Sequence, residues 1–190
     1  MPKENSSNFF DDFDSDDFGE TTEISQKARK KEARNFAKQI IKNLKITEAP
    51  VNLREIIAHI QVDYSLYVSQ WNFSDKVSGI LVKVTDLEDD LADSTYAIGF
   101  NKEDPWCRRR FTICHELGHL LFNSACTKFT GGKSPYETEC DVFAAELLMP
   151  KEILKRDFGK VQDVPELAKM YLVSQEALCI KLGDDRLLKL

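Results

Sequence analysis

Long apolar runs are missing from this sequence. The longest, such as "GILV" and "ELLMP", fall far short of the roughly 20 residues that cross a bilayer, so no membrane span is expected. The opening stretch "MPKENSSNFFDDFDSDDFGE" lacks a basic start, an apolar run and a small-residue cleavage site, which excludes a secretory signal and makes the cytoplasm the expected location. Paired cysteines are also lacking. Cys107, Cys114, Cys126, Cys140 and Cys179 form no C-x-x-C pair, and an odd number does not suit a disulfide framework, so they read as reduced thiols packed as small hydrophobes. Positive charge is not in excess overall: the chain carries a net −6, and residues 1–23, with one lysine against eight acids, hold all of that acidity, the remainder summing to +1. The nearly neutral remainder offers no strong attraction to nucleic acid or anionic lipid. Histidine is scarce, with three in 190 residues.

What is present is the composition of a soluble globular domain, 42% hydrophobic and 31% charged, long enough for one domain with a proper core and a small appendage. Residues 1–23 include "FFDDFDSDDF", phenylalanines interleaved with aspartates, and read as a disordered acidic tail. A helical period begins after Ile24, with Ala33, Phe36, Ala37, Ile40, Ile41 and Leu44 on one face, and Pro50 closes that segment. "VNLREIIAHI" reads as a short helix capped by Asn52; its His59 has no ligand-type residue one turn away and reads as structural. "VDYSLYV", "VSGILVKV" and "TYAIGF" predict three strands of a small sheet. Asp104 and Pro105 then supply a cap and a first-turn proline for a helix through Phe122, and a further helix is expected from near Tyr136 to Met149. The fold class is therefore α+β. A domain over 24–150 is expected to carry the chemistry, with a helical, helix-turn-helix-like subdomain over 151–190.

The chemistry centres on "TICHELGHLLF". Histidines at i and i+4 share a helix face, so the imidazoles of His115 and His119 converge on one ion, while Glu116 projects differently and can reach a metal-bound water without being a ligand. A catalytic zinc site keeps three protein ligands and one open position. "YETECDVFAAELLMP" offers Glu137 as the third ligand, and Asp141, one turn on, as the acceptor that fixes a ligating histidine's tautomer. Glu139 points to roughly the opposite side of that helix, and Glu146 is better phased but further along. Gly118 costs about 1 kcal/mol relative to alanine in a helix, which suits a close approach of another backbone or a substrate. Tyr136 and the run Arg108, Arg109, Arg110 lie near in sequence as oxyanion candidates, the arginines reading first as a solvated helix face.

Together, "RFTICHELGHLLF" and "ETECDVFAAELLMP" resemble the ImmA/IrrE family of zinc-dependent metallopeptidases, and the similarity spans about residues 25–180. The resemblance implies a zincin-like fold with one catalytic Zn2+ held by His115, His119 and Glu137, and Glu116 as the catalytic glutamate. Asp141 falls where many members carry asparagine, and Cys114 and Cys140 fall where alanine is common. It further implies a protein substrate, a helix-turn-helix repressor whose cleavage releases mobile-element or stress-response genes. The alternative is a weakly catalytic or non-catalytic regulator that binds a repressor or DNA through the same fold. Direct nucleic-acid binding is not expected: residues 160–190 carry five bases and five acids, and the second helix of "VPELAKMYLVSQEALCIKL" offers only Gln175 and Lys181 to a duplex.

Overall fold

The computed structural model describes residues 28–74, 76–84, 94–122 and 134–188. The acidic stretch 1–23, Cys126 and most of the loop after Phe122 lie outside the described residues.

Among the described residues, seven helices and three strands follow in the order α1 (Lys30–Asn43), α2 (Leu53–Ile60), β1 (Ser65–Trp71), β2 (Gly79–Val84), β3 (Thr95–Asn101), α3 (Trp106–Leu121), α4 (Pro135–Leu148), α5 (Lys151–Phe158), α6 (Val164–Tyr171) and α7 (Gln175–Asp184). α1 buries Ala33, Phe36, Ala37, Ile40 and Ile41, the stripe its sequence period predicts. Asn52 caps α2 by accepting the Arg54 N–H at 3.1 Å. The strands form one mixed sheet in the order β1-β3-β2. β3 pairs parallel with β1, Ser65 facing Thr95, and antiparallel with β2, Gly79 facing Phe100. The α+β, zincin-like expectation is met.

The start of α3 differs by one residue from the sequence reading. Pro105 occupies the cap position, and the Asp104 carboxylate turns to Arg108 at 3.8 Å instead of capping. The arginine run is also not uniformly solvated: Arg110 is buried and donates to the Val51 carbonyl at 2.8 Å, tying α3 to the segment before α2.

Two close approaches fix α3 between its neighbours. A Cβ on Gly118 would lie 3.1–3.2 Å from Cys140 of α4, so α3 and α4 pack nearly backbone to backbone. On the other side, a Cβ on Gly79 would lie 2.3 Å from the Thr112 methyl, so the start of β2 presses onto the helix. The cost of Gly118 expected from sequence is thus met by another backbone.

Helices α5 to α7 share the main core: Leu154, Leu167, Tyr171, Leu178 and Leu182 join the same buried cluster as Leu117, Phe143 and Leu147. A buried ion pair reinforces that seam, Lys181 of α7 on Glu146 of α4 at 2.5 Å, with Asp185 at 2.8 Å from the same ammonium. α6 and α7 form a helix-turn-helix whose turn places Leu172 in the left-handed region at φ 55°.

Candidate metal centre

α3 and α4 bring together the residues singled out by spacing. The Nε2 atoms of His115 and His119 lie 3.1 Å apart. The Glu137 carboxylate reaches both, with Oε2 at 3.1 Å from His115 Nε2 and Oε1 at 3.3 Å from His119 Nε2. A tetrahedral ion with arms of about 2.0–2.1 Å needs ligand atoms about 3.3–3.4 Å apart. The two imidazole nitrogens lie close to one such edge, with a different Glu137 oxygen near each, and taking one atom per residue the three groups lie within 4.8 Å of one another; two imidazoles and one carboxylate are a donor set that suits zinc. Asp141 Oδ1 lies 2.9 Å from His115 Nδ1, where a proton on Nδ1 leaves the Nε2 lone pair facing the cluster. Among the other acids considered, Glu139 pairs with Arg29 at the head of α1, accepting from its backbone N–H at 2.7 Å, and Glu146 is taken by Lys181. His59 sits in the last turn of α2 and is not part of the cluster.

Glu116 points to the other side of α3, against β2. It is only 5% exposed, and its Oε2 has no hydrogen-bond partner. Burial pushes its carboxyl up to about 7; His115 draws it down, Glu137 raises it, and the Leu81 backbone N–H lowers it again. The Glu116 carboxylate thus lies within electrostatic reach of His115 and Glu137 with one buried oxygen unpartnered.

The strand register sets which backbone groups of β2 face away from β3. The Ser78 carbonyl accepts the Asn101 N–H at 2.7 Å, so the polar groups of even-numbered residues along β2 face β3. Those of Gly79 and Leu81 consequently face outward, toward Glu116. A cleft of about 400 Å³ lies along this edge, walled by Lys76 to Gly79 and, on α3, by Arg108, Phe111, Thr112, His115 and Glu116. Sequence reasoning did not find Gly79, Thr112 or the Leu81 N–H, because their part in the site is a contact between elements with no local signature. The cysteines flanking the motif are packing residues: Cys114 and Cys140 are fully buried, and burial pushes the Cys114 thiol up to about 12.

The fold and cluster define an α+β protein in which two histidines from one helix and a glutamate from the next converge as a group that could hold a metal ion. Residues 76–183, more than half of the chain, match the Peptidase_M78 family, the IrrE N-terminal-like domain, and the chain belongs to that family. No curated protein matches it. Among solved structures it is similar to a Mycobacterium tuberculosis transcriptional regulator, with a TM-score of 0.58 and 13% identity over 80% of this chain and 46% of that one. This chain thus spans less than half of that regulator's length, and the likeness is one of fold. No helix among the described residues is long and apolar enough to cross a membrane.

Proposed function

We propose that this protein is a zinc-dependent endopeptidase of the cytoplasm that cleaves a helix-turn-helix transcriptional repressor, holding one zinc ion through His115, His119 and Glu137. The observation that carries this reading is the convergence of those three side chains, within 4.8 Å of one another, beside the orphaned carboxylate oxygen of Glu116. Membership in a peptidase family supports the reaction class. A transcriptional regulator among its structural neighbours agrees with a repressor substrate but is a weaker support.

Bound zinc would supply an acidified water and a Lewis acid for the scissile carbonyl. The chain's own residues do the rest. Asp141 holds the His115 ring in the tautomer that presents Nε2. The outward backbone groups of Gly79 and the outward carbonyl of Leu81, whose N–H is engaged by Glu116, align an extended peptide as an added strand. Glu116 takes the proton from the attacking water and delivers it to the leaving amine.

The test is Glu116→Gln, assayed on the purified chain with a helix-turn-helix repressor as substrate. Zinc should remain bound at one per chain while cleavage falls about 10²- to 10⁴-fold. Persisting cleavage and derepression with zinc retained would sink the mechanism. Full derepression without cleavage would favour the alternative, a regulator that sequesters its partner.

A further inference from the structure

A second cavity, of about 360 Å³, lies where the N-terminal end of α3 meets α7, and it shares Arg108 and Phe111 with the cleft beside Glu116. Its floor is apolar, built by Phe111, Val173, Ala177 and Ile180, while Arg108 and Glu176 stand as polar groups of opposite sign. α7 is two-faced. Leu178 and Leu182 are fully buried in the core, whereas Ile180 is 61% exposed and turns to the cavity. The helix is also held in place, because its Lys181 is locked to Glu146 on α4, the helix that carries Glu137. That pairing uses one of the two groups α7 could have offered to DNA.

We propose that this cavity is the specificity pocket of the peptidase, taking an aliphatic or aromatic side chain of an extended peptide substrate. The inference rests on the peptidase reading above and adds what that reading leaves open, the class of residue selected. Continuity decides the occupant: a chain laid along the outward edge of β2 passes over Phe111 and Arg108 directly into the cavity. Arg108 is already paired with Asp104 at 3.8 Å and Glu176 is exposed to solvent, so selection falls to the apolar floor. Phe111 and Arg108 are four and seven residues before His115, about 6 and 10 Å along the helix axis. At about 3.3 Å per extended residue, the anchoring side chain lies about two to three residues from the cleaved bond.

The experiment uses the full-length zinc-loaded chain and a positional-scanning library of unstructured decapeptides. Cleavage products are read by mass spectrometry. In parallel, decapeptides carrying benzoylphenylalanine at each position are photo-cross-linked to the zinc-loaded Glu116→Gln protein. Leucine, phenylalanine or similar residues should be enriched two to three positions from the cut, and cross-links from that position should fall on Ala177 or Ile180. Ile180→Asp, at an exposed position, and Ala177→Phe, which fills the pocket, should each lower kcat/KM for those peptides about tenfold or more, with zinc content and Tm unchanged. Cleavage with no such preference and no cross-link on α7 overturns the pocket while leaving the peptidase reading intact. Cross-links on α7 without turnover by the wild type would leave the cavity as a peptide-binding site only, and overturn both the peptidase reading and the cavity's part in choosing a cleavage site. An absence of both cleavage and cross-links overturns both.

Discussion

Asp141 is separated from the cluster by one imidazole, and its effect should be readable without any substrate. With a carboxylate 2.9 Å from His115 Nδ1, the ring is held and its Nε2 made more basic. Asp141→Ala should weaken zinc binding about 10- to 100-fold in chelator competition, whereas Glu137→Ala, which removes a proposed ligand, should weaken it further. Asp141→Asn keeps a hydrogen-bonding oxygen and should fall between the wild type and Asp141→Ala. Equal zinc affinity in wild type and Asp141→Ala would show that His115 is oriented by packing alone.

At the scale of elements, α3 carries the site because it is clamped on two sides. Gly118 lets α4 approach until Glu137 reaches both histidines, and Gly79 lets β2 approach until Glu116 is enclosed. Gly118→Val would place branched carbon into space already filled by Cys140, 3.1–3.2 Å from the glycine's absent Cβ. Its cost should be about 1–3 kcal/mol in urea unfolding, with a loss of zinc affinity larger than stability alone explains. The α4–α7 seam makes a second, independent case. Lys181 and Glu146 are 4% and 1% exposed, so Lys181→Ala strands buried carboxylates and should cost about 3–5 kcal/mol.

Across the whole molecule, acid stability should carry a signature from the C-terminal helices. Burial works against the charge of Asp157, but hydrogen bonds from Arg156 at 2.8 Å and the Tyr171 hydroxyl at 2.8 Å outweigh it, and its pKa lies below the usual carboxylate value. A carboxylate depressed in the folded state stabilises the fold above its unfolded pKa, about 3.9. That stabilisation is lost as pH falls through the lower folded value. Asp157→Asn should therefore be less stable than wild type at pH 6, and the difference in urea midpoint should shrink below about pH 4. A difference that stays constant from pH 6 to pH 3 would mean that Asp157 contributes no ionised interaction there. The same pairing links α5 to α6, while Arg156 reaches the Thr47 carbonyl at 2.8 Å, so the C-terminal helices are tied to the segment after α1 as well as to α4.

Much of this protein is determined by local pattern. The i, i+4 spacing of His115 and His119 is a property of one helix, as is the apolar stripe of α1, and both are visible in the sequence because a helix repeats every 3.6 residues. Glu137 and Asp141 share a face of their own helix for the same reason, and Asn52 marks a helix start through a contact two residues away. Contacts between elements carry no such period. That α4 meets α3 at Gly118 and Cys140, that Leu81 turns an N–H toward Glu116, and that Arg110 leaves solvent for the Val51 carbonyl follow only once a sheet edge and two helices are packed together. The cavity between α3 and α7 is of that kind as well. Its residues are ordinary apolar positions in the chain, and they form a pocket because Lys181 holds α7 against the helix bearing Glu137.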